Sequence, residues 1–305
     1  MMEFTEFTEL IAEQILNYLP EKLSDAVAVI TQVTKTNDRI LHGLLLRRGD
    51  NPVAPTLYLE KFYNRYRNEG DLKGILADIA EIIVKNCSNC PVNVDEISDI
   101  TDFARIKNRI RVKLVDYGSN QAYLADKPYK RVASLAATYY INYQDYDNGN
   151  ATIAITDAIF DHYDISLEEL HDTAVSNTEA LMFFSDLDSV LKASCPDEMI
   201  PEDADQASSK MYVLSSEDMI NGAAMCLSAK VMDQVAEWIG TDFKICPSSQ
   251  NELILIPSCG HSPEQLQRLK EMVVSINQTE VAPEDKLSDN VFSYDYKTHT
   301  LQVAA

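Results

Sequence analysis

The chain has 305 residues, of which 48 are acidic and 26 are basic, and its formal net charge is −22. Hydrophobic residues make up 46% and charged residues 24%, a globular composition that excludes wholesale disorder. Only 9 glycines and 11 prolines are present, which excludes a collagen-like or low-complexity chain. A length of this order predicts roughly two domains, on a prior of about 150 residues each.

The sequence predicts a cytoplasmic protein. The first residues read MMEFTEFTE and offer neither the basic start nor the apolar run of a secretory signal. No apolar stretch approaches the ~20 residues that span a bilayer, so we expect no membrane partner. Six cysteines are compatible with three disulfides, but a chain of this length without a signal favours reduced thiols in the cytosol.

The charge is distributed unevenly. Residues 101–150 hold 8 basic and 5 acidic side chains, whereas residues 151–210 hold 14 acidic and 2 basic ones. A field of negative sign repels nucleic acid and anionic membranes, so no direct nucleic-acid binding is expected. It favours solubility, a partner protein with a basic surface, or competition with DNA for a DNA-binding protein.

The first hundred residues alternate between helical and β-branched patterns. Apolar residues at helical spacing indicate the helices, and β-branched runs flanked by turn residues indicate the strands. In chain order, the predicted elements are a helix at 5–18, strands at 26–34, 39–47 and 56–60, and a helix at 72–84.

Residues 98–117 fit two patterns. Apolar residues from Ile100 to Tyr117 step by three and four, which indicates a helix. Basic residues from Arg105 to Lys113 alternate with other residues, which indicates a strand with one basic face. We favour the helix, because its apolar stripe runs unbroken for five turns. The basic run at 105–113 could hold a phosphate, but such a run more often offsets the acidity of the rest of the molecule.

The remaining two thirds of the chain mix strands and helices without a regular βαβ rhythm. Turn residues separate the strands, and Ser166 and Ser262 stand where helix caps are expected. In chain order, the predicted elements are strands at 132–145 and 150–156, helices at 157–162 and 166–177, strands at 211–214 and 223–227, a helix at 229–239, strands at 243–246 and 252–256, a helix at 262–276, and strands at 291–296 and 300–303.

These elements predict an α+β fold, with mixed or antiparallel sheets and packed helices. A proline-containing acidic segment at 196–210 has little apolar content and is the predicted linker. The predicted parts are therefore an N-terminal α+β region at 1–195, the acidic linker at 196–210, and a C-terminal α+β domain at 211–305.

No metal or cofactor site is expected. Cys87 and Cys90 have the spacing of half a zinc site or a redox pair, but no second close pair of ligands exists. The pair also follows a predicted helix, whereas a reactive thiol is found at a helix N-terminus. Glu168 and His171 form one Glu-x-x-His motif, and a di-metal bundle needs two.

One serine pair is a candidate for catalysis. Ser248 or Ser249 could act as a nucleophile if His261 served as its base. A proline and two serines between strands are first of all turn residues. No phosphate loop, nucleotide fingerprint or nucleophile elbow is present in the sequence. The pattern therefore favours a protein that is not an enzyme.

Two sets of residues are candidates for binding a partner. Glu168, Glu169 and Asp172 lie in the most acidic part of the chain, on one predicted helix. Tyr63 and Tyr66 belong to the first of two tyrosine clusters, and tyrosine is enriched at interfaces. Tyrosines also pair across strands in ordinary sheets, so both interpretations stay open.

With these segments in view, the whole chain resembles DUF5688, a bacterial family of unknown function. The resemblance covers nearly the full length of the chain. It is carried by HGLLLR at 42–47, APTLYL at 54–59, ADKP at 125–128, ISLEELHD at 165–172, MYVL at 211–214, NGAA at 221–224, PSS at 247–249 and VAPEDKLSD at 281–289. The resemblance implies a cytosolic protein associated with mobile elements, and it implies no catalytic residue or cofactor.

We therefore expect a soluble, non-enzymatic protein that binds another macromolecule, as an accessory protein of mobile elements. One alternative is an acidic DNA mimic that occupies a basic nucleic-acid-binding surface. Another is a hydrolase or transferase that uses Ser248 or Ser249 with His261.

The missing second ligand pair for Cys87 and Cys90 generates a first prediction. The purified protein should carry reduced thiols and no zinc, and native mass spectrometry measures both. A bound zinc ion, or a mass two protons light for each disulfide, would show that this interpretation is wrong.

Overall fold

The computed structural model of the chain describes residues 2–47, 56–88, 99–145, 149–194, 210–257, 262–295 and 297–305. The fold consists of two compact units. Unit 1 comprises residues 1–100 and 143–151, and unit 2 comprises residues 101–142 and 152–305. Among the described helices, none combines the length and apolar character needed to cross a membrane.

The described residues form helices and antiparallel strands, which confirms the predicted α+β class. The α-helices are α1 (Phe4–Gln14), α2 (Glu60–Glu69), α3 (Leu72–Ser88), α4 (Phe103–Ile106), α5 (Gln121–Leu124), α6 (Asp157–Phe160), α7 (Leu167–Glu179), α8 (Leu187–Ser194), α9 (Ala229–Ile239) and α10 (Pro263–Thr279). The strands are β1 (Val27–Lys35), β2 (Arg39–Arg47), β3 (Thr56–Tyr58), β4 (Ile110–Asp116), β5 (Tyr129–Val132), β6 (Leu135–Asp145), β7 (Gly149–Ala154), β8 (Met182–Asp186), β9 (Tyr212–Ser216), β10 (Phe243–Pro247), β11 (Glu252–Pro257), β12 (Phe292–Asp295) and β13 (Thr300–Val303).

Unit 1 packs helices on a three-stranded sheet with the order β1-β2-β3. Phe7 and Ile11 of α1 are fully buried, and their spacing of four residues places them on one face of the helix. They join Leu44 of β2 and Ile75 and Ile79 of α3 in one apolar core. Burial of these side chains is what holds the unit together, at about 1.5–3 kcal/mol for each large one.

Unit 2 contains two sheets. The larger has the strand order β13-β12-β10-β11-β9-β8, and every pairing in it is antiparallel. In the smaller sheet β6 pairs with β4, β5 and β7. Helix α7 packs on β4, where Asn177 donates from Nδ2 to the Ile110 carbonyl at 2.8 Å and Thr178 Oγ1 accepts from the Val112 amide at 3.2 Å.

The turn between β10 and β11 connects three segments of unit 2. The backbone amide of Gln250 donates to the backbone carbonyl of Asp285 at 2.7 Å. The backbone carbonyl of Gln250 accepts from the backbone amide of Ala223 at 3.2 Å. Asn251 Oδ1 accepts from the Asn221 amide at 3.0 Å, and the Asn251 carbonyl accepts from Ser215 Oγ at 2.7 Å. The turn therefore fixes both the loop before α9 and the segment after α10.

The helix favoured for residues 98–117 is wrong. Only residues 103–106 form an α-helix, and β4 begins at Ile110. In β4, Ile110 and Val112 are buried while Arg111 and Lys113 are half-buried, the alternation of a strand. The strand forms because its seven residues, Ile110 to Asp116, pair with β6. Apolar spacing within one segment does not predict such a hydrogen-bonded neighbour.

Two further differences concern the region before α9. Residues 223–227 were predicted as a strand, but Gly222–Leu227 is a buried 3₁₀ helix. Strand β8 and helix α8 were not predicted at all. Small residues such as Ala223 and Ala224 suit burial in either conformation, so tertiary contacts decided between them.

The two units do not follow the predicted division of the chain. Strand β8 precedes the predicted linker, and it pairs with β9, which follows that segment. Unit 2 therefore includes elements from both sides of residues 196–210. Within that segment, residues 196–209 lie outside the described residues.

Gly222 generates a prediction about stability. A Cβ atom there would lie 2.5 Å from the Asn251 carbonyl oxygen and closer still to the Ser216 amide nitrogen and Ser215 Oγ. Gly222→Ala should lower the free energy of unfolding by about 1–3 kcal/mol, because overpacking forces the backbone to shift. Urea denaturation measures the effect.

The control is Gly118→Ala, where the nearest atom, Asp116 Oδ1, lies 3.4 Å away. Equal stability of the two variants would contradict the account of the turn between β10 and β11.

Candidate functional site

The three acids predicted to bind a partner lie together on α7. Glu168, Glu169 and Asp172 are all exposed, and their spacing places them on one side of the helix. Lys130 Nζ donates to Glu168 Oε1 at 2.8 Å, and this contact lowers the pKa of the Glu168 carboxyl. These three residues are called the α7 acids below, and one of them already has a counter-ion.

Beneath the α7 acids lies His171, which the sequence showed only as half of an incomplete Glu-x-x-His metal motif. His171 Nδ1 is 3.1 Å from the hydroxyl of Tyr139, and its side chain is almost fully buried. Burial lowers the pKa of His171, and the nearby Lys130 lowers it further. Burial also raises the pKa of Tyr139. Both side chains are therefore neutral near neutral pH and hold α7 to β6.

Tyr63 and Tyr66 contribute to the packing of unit 1. The Tyr63 hydroxyl donates to the Met2 carbonyl at 3.0 Å, and its ring meets Phe4 with centroids 5.0 Å apart. The Tyr66 ring stacks on Phe7 at 5.5 Å. Both tyrosines are half-buried, so these internal contacts cover part of the side-chain surface that was predicted to bind a partner.

Ser248 and Ser249 make turn hydrogen bonds. Ser248 Oγ donates to Glu252 Oε1 at 2.9 Å, and Ser249 Oγ accepts from the Asn251 amide at 3.0 Å. His261, the proposed base, lies outside the described residues. The contacts of both serines match the interpretation of this segment as a turn.

The buried thiols of unit 2 are also unsuited to nucleophilic chemistry. Burial raises the pKa of Cys226 to about 12 and that of Cys246 to about 11. A thiol with such a pKa carries almost no thiolate near neutral pH, and the thiolate is the reactive form. Cys87 and Cys90, the predicted metal-free pair, fall where the structure does not describe side chains.

Two members of the basic run are paired within the fold. Arg111 forms an ion pair with Asp218, and both side chains are largely buried. Arg105 lies 3.4 Å from Asp102. These contacts fit the interpretation in which the run offsets acidity within the same molecule.

Unit 1 holds a polar cluster that sequence reasoning missed. Glu60 Oε1 accepts from the His42 amide at 2.6 Å and lies 3.2 Å from His42 Nδ1. The other ring nitrogen of His42 is 3.2 Å from Gln32 Nε2, and the Phe4 ring meets the imidazole edge-on at 4.9 Å. The cluster joins the sheet to the first turn of α2.

An acidic cleft lies beside the C-terminal end of α9. Its volume is about 540 Å³. Its polar and charged lining residues are Asp233, Glu237, Thr241, Asp242 and His299. Glu237 and Asp242 are exposed, and the structure records no ion pair for either of them among the described residues. This cleft is called the acidic cleft below.

Local backbone geometry forms the walls of the acidic cleft. Helix α9 ends at Gly240, whose φ of 73° lets the chain turn away while its amide donates to the Ala236 carbonyl. Asp233, which lines the cleft, accepts at Oδ1 from the hydroxyl of Tyr294 of β12 at 3.3 Å. His299 Nδ1 lies 3.1 Å from that hydroxyl and 3.3 Å from Asp233 Oδ1. These contacts anchor the β12–β13 hairpin to α9.

Three aromatic rings form a stack where α9 packs on strands β8 and β9. Trp238 and Phe184 have centroids 5.2 Å apart with an interplanar angle of 30°. Phe184 and Tyr212 are also 5.2 Å apart, at 14°. Trp238 is nevertheless 53% exposed, and it is the one tryptophan of the chain. These three rings are called the aromatic stack below.

The electrostatics of this region favour a cation. The C-terminal end of a helix carries a partial negative charge, and the last turn of α9 contains no basic residue. Glu237 and Asp242 add two carboxylates at the same end. The described residues contain no group of three or more His, Cys, Asp or Glu placed to hold a metal ion. The region is therefore suited to a cationic side chain.

The sequence did not point to the acidic cleft. Asp233, Glu237 and Asp242 look like ordinary solvated charges along a helix, and His299 is 57 residues beyond Asp242. The available signal was Trp238, a large aromatic at the edge of the apolar stripe that Val231 and Val235 begin. That signal is weak without the fold, because single exposed apolar residues are common.

The buried His171 generates a prediction about pH. Because its pKa is lower in the folded protein, the unfolded state binds the proton more readily. The contribution of His171 to the free energy of unfolding should therefore be fully present at pH values above the ordinary histidine pKa of about 6.5. As the pH falls below that value, the free energy of unfolding should decrease by at most about 1.4 kcal/mol per pH unit. Denaturation experiments at pH 7 and at pH 5 should show that His171→Gln loses less unfolding free energy between the two pH values than the unmodified chain does.

His162→Gln, at an exposed position, is the control and should keep the loss because His171 is still present. An identical loss in the His171→Gln variant would mean that other groups cause it.

Comparisons with known proteins give one match. A model of a family described as a family of unknown function, DUF5688, matches residues 4–296. A search of curated proteins finds no match, and a search of solved structures finds none either. The family match spans nearly the whole chain, and of the residues that line the acidic cleft it leaves out His299. The chain belongs to DUF5688.

Proposed function

We propose that this chain is a non-enzymatic binding protein, and that its partner is a protein with a basic surface. The net charge of −22 gives the molecule a field that attracts cationic surfaces over distances of about a Debye length. The acidic cleft is a concave surface at which a cationic group could bind. A cytoplasmic location and an accessory role for mobile elements belong to the same proposal.

The single observation that carries the proposal is the acidic cleft. Its exposed carboxylates, Glu237 and Asp242, have no ion pair among the described residues, in contrast to Glu168 on α7. A partner's lysine or arginine would supply the missing counter-ion. Each exposed pair contributes only about 0.2–1 kcal/mol, so apolar contact must supply most of the affinity. The exposed Trp238, which directly follows Glu237 in the chain, supplies such a surface.

The interpretation as a non-enzymatic protein is supported by the roles of the polar groups. Ser248 and Ser249 hold a turn, and Cys226 and Cys246 are protonated and buried. His171 is neutral and nearly inaccessible. The hydrogen-bond partners or the burial of these groups give each of them a structural role.

A second candidate function is the acidic DNA mimic. The α7 acids support it, because they lie exposed on one side of a helix. Carboxylates spaced along a surface could compete for a basic nucleic-acid-binding protein. Lys130 neutralises Glu168, which weakens this surface relative to the acidic cleft.

Two charge-matched variants distinguish the candidates. Glu237→Gln with Asp242→Asn changes the acidic cleft, and Glu169→Gln with Asp172→Asn changes α7; each variant removes two negative charges. Tagged proteins are expressed in the native cell, and captured partners are identified by mass spectrometry. We expect a basic protein to be captured by the unmodified chain and the α7 variant, and about twofold to tenfold less by the cleft variant.

The captured partner then allows a kinetic test. Association with the purified partner should slow as salt rises, because screening weakens electrostatic steering. Equal binding by both variants would contradict a role for the acidic cleft. Loss of binding in the α7 variant alone would favour the mimic.

A further inference from the structure

We infer that the partner is recognised through an arginine whose guanidinium stacks on the open face of Trp238. This inference rests on the proposed function and names one side chain of the partner. It concerns a different part of the surface from the carboxylates, so the two can be tested separately.

The first step is the geometry of the aromatic stack. Phe184 covers one face of the indole at a centroid distance of 5.2 Å, and Tyr212 supports Phe184 at the same distance. The indole is 53% exposed, so its other face is open to solvent. Because Phe184 and Tyr212 come from the paired strands β8 and β9, the platform is rigid before a ligand binds. A rigid platform reduces the entropy lost on binding.

The second step is the choice of ligand chemistry. An aromatic face attracts a cation, and tryptophan does so most strongly of the aromatic residues. A guanidinium is planar and weakly hydrated, so it stacks on a ring, whereas an ammonium is a compact, strongly hydrated charge. Glu237 precedes Trp238 directly, and the negative end of the α9 dipole lies within the same turn. These charges disfavour an anionic ligand and favour arginine.

The third step is that unit 2 already uses this contact elsewhere. The guanidinium carbon of Arg131 lies 3.9 Å from the centroid of the Tyr117 ring. Among the described residues, no lysine or arginine is recorded over Trp238. None of the described cations therefore occupies the place that an incoming arginine would take.

The test uses Trp238 as its own reporter. Because the chain contains one tryptophan, its intrinsic fluorescence reports on this ring alone. The full chain is titrated with tetra-arginine and, separately, with tetra-lysine of the same charge. We expect a saturable change of emission with tetra-arginine at about three- to tenfold lower concentration than with tetra-lysine.

Calorimetry on variants completes the test. Trp238→Leu should lower the affinity for tetra-arginine by about three- to tenfold and leave the affinity for tetra-lysine nearly unchanged. Met272→Leu changes another exposed apolar side chain, on α10, and should leave both affinities as they are. Thermal unfolding of each variant checks that the fold is intact.

Equal affinity for the two peptides, with unchanged emission, would overturn the arginine inference and leave the proposed function standing. Binding that is indifferent to Glu237→Gln with Asp242→Asn would instead contradict the acidic cleft as the binding site. An arginine preference that survives Trp238→Leu would place the recognition elsewhere and would also overturn the inference.

Discussion

The turn between β10 and β11 is the constraint on which unit 2 depends. Gln250 and Asn251 hold the loop before α9 through the Ala223 and Asn221 amides, and Gly222 fits there because a Cβ has no space. The side chain of Ser228 then accepts from the Val231 amide and starts α9. The start of α9 on the sheet is thus fixed, and with it the position of the helix end that carries the acidic cleft.

The same geometry gives the acidic residues different roles. Asp218 is buried against Arg111, and Glu179 accepts from Ser228 and Lys230, so these carboxylates stabilise the fold. Glu237 and Asp242 are exposed at the end of a helix whose dipole is also negative. The net charge of the chain counts all of these carboxylates equally. Only their partners show which of them are available to another molecule.

The sequence predicted most elements whose signals are local. The predicted Ser262 cap of α10 and the predicted end of α9 at Ile239 are confirmed, because helix ends depend on neighbouring residues. The element beginning at Ile110 was missed, because its strand form depends on pairing with β6. The acidic cleft was missed for the same reason: Asp233 and His299 meet only when the β12–β13 hairpin closes against α9.

Hydrogen–deuterium exchange of the full chain, with and without an arginine-rich peptide, tests the central claim most directly. The account predicts slower exchange in residues 233–243 and 297–300, which surround the acidic cleft, and unchanged exchange in α7. Protection confined to α7, or protection spread evenly over both units, would contradict the assignment of binding to the end of α9.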